Sequence, residues 1–288
     1  FSKKIGTYMV RETFFELKTN QIINKNSIQE IYSFTTVTKM LELVNKDTLI
    51  IFDVDDVLII PNSDNDFKHP CRAQLWQDLK NRLSTEKIEI LQSSVMSTIK
   101  RNLVEPRIVQ AFAYLQSQHI PTIALTAMGT GRFGIIKKME DIRIKELNDV
   151  GISFLPSTPL KGEKLAAELE NTNMICSDCK GIPMLKSGII FTAGVDKGVL
   201  LEYMFSKYNY YPKTIVFVDD SLNNLESLEK LCVKLKIDFY GFHYVAVSLM
   251  PIPVIDENLE RLRFKILELE CSWLSYKELT KKKNFKSM

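Results

Sequence analysis

Cysteine is scarce and odd in number, with Cys71, Cys176, Cys179, Cys232 and Cys271 the only five in 288 residues. Such a scattered set is not a disulfide framework, and a reducing compartment is the simpler setting. Histidine is scarcer, and His69, His119 and His243 lie far apart. Cys176-Ser177-Asp178-Cys179 has CxxC spacing, but with no second CxxC and no nearby His it does not complete a zinc site. In an exported chain that pair could close a small disulfide. No apolar run approaches the roughly 20 residues that a membrane-spanning helix needs. Residues 1–20 interleave Lys3, Lys4, Arg11, Glu12, Glu16 and Lys18 with apolar residues, unlike a signal peptide. Because the chain begins at Phe1, an upstream targeting segment stays open, and so does the choice between a cytoplasmic and an exported protein. Excess charge is also lacking: a formal +3 and a pI near 8.4, with no Lys/Arg stripe interleaved with aromatics, argue against a nucleic-acid partner. Internal repeats and low-complexity tracts are absent.

What is present is an ordinary globular composition, 45% hydrophobic and 25% charged, long enough for one α/β domain with an accessory element. Leu49-Ile50-Ile51-Phe52 is a β-favouring run that stops on Asp53 and Asp55, separated by Val54. Residues two apart on an extended chain point the same way, so both carboxylates can be aimed beyond the carboxyl end of a buried strand. Two close carboxylates repel, and a hard cation such as Mg²⁺ or a shared proton relieves them. Asp53 could then remain an ionised nucleophile while Asp55 handles a proton. An acidic turn after a buried strand would look the same on this pair alone.

Three later segments add to it. Ile120-Pro121-Thr122-Ile123-Ala124-Leu125 ends on Thr126 and a Gly-containing loop, where a hydroxyl and backbone amides can donate to a phosphate oxygen. Lys197 stands at the entrance to an apolar helical pattern, against the usual preference of Lys for the other helix end, and so asks for an anionic neighbour. Thr214-Ile215-Val216-Phe217-Val218 halts on Asp219 and Asp220, acids that could complete an oxygen cage for Mg²⁺. Taken singly, Thr126 is an ordinary strand end and Lys197 a solvated lysine beside Asp196.

In this order the four segments resemble the motifs of the haloacid dehalogenase (HAD) superfamily of phosphotransferases. Asp53, Asp55 and Val57 match its first motif, Thr126 its second, Lys197 its third, and Asp219 with Asp220 its fourth, with Asn224 where a further acid or amide is common. The match spans roughly residues 47–245. The resemblance implies that Asp53 attacks phosphorus and Asp55 serves as general acid and base. It implies that Thr126 and Lys197 hold the phosphoryl oxygens, and that Mg²⁺ is bound by Asp53, Asp55 through its backbone carbonyl, Asp219 and Asp220. Such a transition state spreads charge over its equatorial oxygens, which fixed cations and donors stabilise. The acid at Asp55 favours phosphomonoester hydrolysis over dehalogenation or an ion-pump ATPase. A small-metabolite phosphatase or a phosphomutase would carry the same pair, and a partner-binding module could retain the fold without turnover.

The expected architecture is a doubly wound, mostly parallel sheet, active at its carboxyl edge, as one domain over residues 1–288. Residues 28–45 read as a helix leading into the first strand. Residues 59–109 read as an inserted cap with helices near 72–83 and 87–103, small enough to leave an open cleft suited to a phosphate on a large molecule. Residues 132–149 and 160–169 read as helices, Met184 to Phe191 as a hairpin and 239–245 as a further strand. Arg132 could reach an anionic substrate, although a surface role fits it as well, and His243 reads as a structural histidine. Residues 256–288 hold a helix expected to dock on the core, then a basic tail. There Lys281, Lys282, Lys283 and Lys286 surround Phe285 and could touch an anionic membrane, although a solvated terminus looks the same. The layout is similar to a branch of the superfamily found in intracellular bacteria, some of whose members act on host phosphoproteins, phosphotyrosine included.

Overall fold

The computed structural model describes residues 24–62, 69–162, 164–165, 181–252 and 254–286. Cys176 and Cys179 lie outside them, as do the side chains from Lys282 onward.

Ten strands are described: β1 (Ser27–Ile31), β2 (Thr48–Phe52), β3 (Ile59–Pro61), β4 (Arg101–Leu103), β5 (Thr122–Thr126), β6 (Lys164–Leu165), β7 (Met184–Lys186), β8 (Ile189–Phe191), β9 (Thr214–Asp219) and β10 (Asp238–Tyr244). Eight of them form one sheet in the order β1-β10-β9-β2-β5-β8-β7-β6, while β3 and β4 pair separately. From β1 to β8 every pairing in the large sheet is parallel, and β7 and β6 continue it antiparallel. This is the expected doubly wound α/β fold. The chain passes from β2 to β5 on one side and later returns to β9 on the other, so β2 is the point where strand order reverses. A crevice opens at the carboxyl end of such a strand.

The apolar runs of β2, β5 and β9 are buried on both faces because helices cover both. Ile50, Phe52, Val216 and Val218 face one core, closed by α1 (Phe34–Leu41) and α4 (Arg107–Ser117). Leu49, Ile51, Ile215 and Phe217 face the other, closed by α6 (Lys197–Tyr208) and α7 (Leu222–Leu235). The alternation is the two-residue period of a strand. Between β7 and β8, Ser187 and Gly188 take φ of 52° and 77°, the left-handed pair that a two-residue hairpin turn requires. A Cβ on Gly188 would stand 2.8 Å from that of Phe154.

Four expectations need correction. The helix read over 87–103 stops at Thr98, and Arg101–Leu103 form β4 because β3 offers them an antiparallel partner. Residues 27–31 are strand rather than helix, because the edge of β10 offers them a parallel partner, and Ser33 caps α1 only afterwards by accepting from the Thr35 amide. Helix α5 begins at Met139 and ends at Asp149; the preceding residues form a loop closed by reciprocal Phe133–Ile136 backbone bonds. In the stretch read as a helix over 160–169, Lys164 and Leu165 pair with β7, and the other residues past 162 lie outside the described set.

Residues 59–109 contain β3, α2 (Pro70–Arg82), α3 (Thr85–Thr98), β4 and the start of α4. The C-terminal helices α8 (Glu257–Glu270) and α9 (Tyr276–Lys286) follow the last strand. The apolar stripe of α8, expected to dock on the core, does so away from the sheet: Phe264 and Leu267, with Trp273 beyond the helix, join Leu79, Ile88, Leu91 and Val95 of α2 and α3 in a third core. Glu260 accepts from Arg72 Nη2 at 2.8 Å and from Tyr276 Oη at 2.6 Å, and Arg263 lies 3.3 Å away and over the Trp273 ring. Arg72, Glu260 and Arg263 are all buried. The helical layer of α2 and α3 is thus completed by a segment far away in sequence.

Candidate active site

Four neighbouring parallel strands deliver the site. Asp53 follows the last residue of β2, Asp219 ends β9, Thr126 ends β5, and Lys197 opens α6 shortly after β8. Each strand must leave the core at this edge, so polar residues are affordable only there.

Lys197 Nζ lies 2.6 Å from Asp53 Oδ1 and 2.6 Å from Asp219 Oδ2. All three residues are buried. The anionic neighbour that Lys197 called for is therefore a pair of carboxylates. Burial pushes the Asp53 carboxyl up to about 7, against the pull of Lys197 and with Asp219 adding to the rise. Burial opposes charge on Lys197 too, but the two carboxylates outweigh it and raise its pKa. Asp219 is further held by Asn224 Nδ2 at 3.0 and 3.2 Å and by the Ser221 amide at 2.8 Å.

Asp53, Asp219 and the exposed Asp220 bring one carboxylate oxygen each within 4.8 Å of one another. The donor set is all oxygen, which suits a hard divalent cation that keeps water and substrate as its other ligands. Such a cluster could bind a metal ion. His243, expected to be structural, places Nε2 3.1 Å from the Asp220 carbonyl oxygen, one shell behind the cluster.

The Asp55 carboxylate is not in that cluster. It accepts from Arg143 Nη2 at 2.7 Å and stands 3.7 Å from Arg101 Nη1, and it is about half exposed. The two acids thus rest on different cations. Glu146 ties the arginines together, 3.1 Å from Arg101 Nε and 3.1 Å from Arg143 Nη1. Burial opposes charge on Arg143, yet Asp55 and Glu146 outweigh it and its pKa is raised. Thr126 Oγ1 accepts from the Met128 amide at 3.3 Å, which leaves its hydrogen to donate. Arg132, a candidate for anion contact, is exposed and donates weakly to the Gly134 carbonyl at 3.4 Å.

Sequence reasoning missed Arg101 and Arg143. Arg143 had a signal: it lies between Met139 and Leu147 at four-residue spacing, a cation on the buried stripe of α5. Arg101 had none, being one basic residue in a short edge strand.

Beside Asp55, α2, α3 and the edge of the sheet border a half-open cavity of about 1260 Å³. Trp76, Met96, Met128 and Phe133 supply apolar wall, and Arg101 and Arg143 lie at its Asp55 end. Trp76 is braced edge-on by Phe264 of α8, ring centroids 5.3 Å apart.

A family model described as "Protein of unknown function (DUF2608)" matches residues 26–280. A Chlamydia pneumoniae protein named "Putative outer membrane protein" is 25% identical over 142 residues, 48% of each chain, so the match spans about half of that relative. An uncharacterized protein of Rickettsia prowazekii is 24% identical over 236 residues, 81% of this chain and 80% of that one. Among solved structures, a haloacid dehalogenase-like family hydrolase from Streptococcus pneumoniae aligns at 12% identity and a TM-score of 0.36, over 76% of this chain and 98% of that one. A HAD family hydrolase from Salmonella enterica serovar Typhi aligns at 12% identity and a TM-score of 0.31, over 86% and 94%. Likeness at that level bears on neither chemistry nor substrate. Among the described residues no helix is long and apolar enough to cross a membrane.

Proposed function

The chain belongs to the family of proteins of unknown function DUF2608, and from its site we propose that it is a Mg²⁺-dependent phosphomonoester hydrolase working through a covalent aspartyl-phosphate on Asp53. The observation that carries this reading is the junction of Asp53, Lys197 and Asp219 at the strand-order reversal, with Asp220 close enough to share a cation.

In this mechanism an Asp53 carboxylate oxygen bonds to phosphorus as the ester P–O bond breaks, and Asp55 gives a proton to the departing oxygen. Water then attacks the acyl-phosphate, Asp55 takes its proton, and phosphate leaves with Asp53 restored. Lys197 and Thr126 face the equatorial oxygens. Asp53, Asp219 and Asp220 would hold Mg²⁺, with the Asp55 carbonyl as a further ligand, and the ion would neutralise phosphoryl charge. To meet the leaving oxygen, the half-exposed Asp55 must leave its ion pair with Arg143 and take up a proton from solvent, a proton that water returns to it in the second step.

The same proposal extends to a phosphoprotein substrate, phosphotyrosine included. A cavity of about 1260 Å³ exceeds the roughly 300–1,000 Å³ typical of small-ligand sites, and Trp76 and Phe133 suit an aromatic leaving group. Phosphate release from phosphotyrosine peptide, phosphoserine peptide, nucleotides and sugar phosphates, with and without Mg²⁺, tests both levels. Release that needs Mg²⁺ and disappears in Asp53→Asn supports hydrolysis, and a preference for the phosphopeptides supports the substrate class. No release from any member would favour a binding module.

A further inference from the structure

We propose that Arg101 and Arg143 form a subsite for a second anionic group, carried by the substrate on the leaving-group side of its phosphate ester. The inference rests on the reading of Asp53 and Asp55 as the reacting pair and adds the chemical class of what they act on.

Arg143 is a buried cation whose charge is compensated but whose hydrogen bonds are incomplete. Arg143 is 2% exposed, yet only Nη2 has a strong partner, Asp55 at 2.7 Å. Nε faces the Met128 thioether at 3.2 Å, a weak acceptor. Nη1 is near Glu146 but, among the described residues, lacks hydrogen-bond geometry to any acceptor. Arg101 adds a second guanidinium, bonded through Nε to the same Glu146 and only 3.7 Å from Asp55. Two cations therefore share two carboxylates, and one of these is the acid that must turn to the leaving oxygen. A substrate without a second anion, drawing Asp55 away, would leave both guanidiniums on Glu146 alone, one buried cation in excess of its carboxylates. A substrate carboxylate or second phosphate would take the vacated place, and the planar guanidinium fork matches either.

Position sets the geometry of the ligand. Both arginines sit at the Asp55 end of the cavity, whose other walls include Trp76, Met96 and Phe133. The substrate class is thus a phosphomonoester with an aromatic or apolar body and a further anion near the ester. Acidic phosphotyrosine peptides and carboxylated aryl phosphates share that chemistry.

Binding of benzylphosphonate and 4-carboxybenzylphosphonate, measured calorimetrically with Mg²⁺ present, tests the subsite without turnover. The carboxylated ligand should bind tighter by on the order of tenfold. That advantage should collapse in Arg101→Met, whose fold is checked by circular dichroism, and in Arg143→Met where it folds. Equal affinities in the unaltered protein, no binding of either ligand, or an advantage that survives Arg101→Met would overturn the subsite. The hydrolase reading fails separately: selective binding of the carboxylated phosphonate without turnover of 4-carboxyphenyl phosphate would uphold the subsite and remove the hydrolase. In turnover, 4-carboxyphenyl phosphate should exceed phenyl phosphate in kcat/KM, and acidic phosphotyrosine peptides should exceed neutral ones; equal values in an active enzyme would overturn the subsite.

Discussion

Arg143 donates from Nη2 to Asp55 Oδ2 across 2.7 Å, which seats the second carboxylate of the Asp53/Asp55 pair on its own buried cation. The pair divides its labour by electrostatic surroundings: Asp53 lies against Lys197 within the acidic cluster, and Asp55 faces the cavity. If Asp55 supplies the proton to the leaving oxygen, Asp55→Asn should cost about 10²–10⁴ in turnover of phenyl phosphate. The loss should be much smaller for 4-nitrophenyl phosphate, whose phenolate leaves readily unprotonated. Equal losses on the two esters would argue that Asp55 has no acid role.

Lys197 is the only cation bonded to the buried carboxylates of Asp53 and Asp219 among the described residues. Lys197→Met should destabilise the metal-free protein by about 3 kcal/mol, the cost of leaving buried charge uncompensated. Saturating Mg²⁺ should restore part of the loss, since a ligand that binds only the folded state stabilises it. Urea unfolding in EDTA and in Mg²⁺ measures both. Identical shifts in the two conditions would contradict a cation site on these carboxylates.

The raised Asp53 pKa gives stability a pH dependence of definite sign. The unfolded chain releases this proton near 3.8, whereas the folded, metal-free chain keeps it to about 7. Between those values the folded state holds more protons, so its stability falls as pH rises and levels off above pH about 7. Asp53→Asn should flatten that part of the profile. Mg²⁺ must displace the same proton, so its affinity should rise with pH up to about 7. Isothermal titration in buffers of different ionisation enthalpy would show the released proton.

Glu260 is the sole carboxylate bonded to the buried Arg72 and Arg263 among the described residues. Hydrogen bonds from Arg72 and Tyr276 outweigh burial and hold its pKa below the ordinary value. Glu260→Gln should cost about 3 kcal/mol and loosen α8 from α2. Because Phe264 of α8 braces Trp76, KM for aryl phosphates should rise more than kcat falls. Limited proteolysis within 256–286 and steady-state kinetics check the two halves of this.

The sheet and its carboxyl edge were legible because buried parallel strands write themselves as short apolar runs. Asp53, Thr126, Lys197 and Asp219 stood where those runs stop or the next helix begins. β1 was not legible: Ile28, Ile31 and Tyr32 fit a helical period, and only the free edge of β10, far away in sequence, selects the strand. The partner of α8 was hidden for a related reason, since the stripe of Phe264 and Leu267 has the same spacing whichever apolar face covers it. Arg101 and Arg143 acquire their roles only through Asp55 and Glu146, contacts that no local pattern encodes.

Trapping the covalent intermediate tests the central claim most directly. Asp55→Asn, mixed with Mg²⁺ and 4-nitrophenyl phosphate and quenched rapidly in acid, should yield one proteolytic fragment carrying a phosphoryl group, mapped by mass spectrometry to Asp53. A phosphoryl group found elsewhere, or turnover that persists in Asp53→Asn, would contradict Asp53 as the nucleophile.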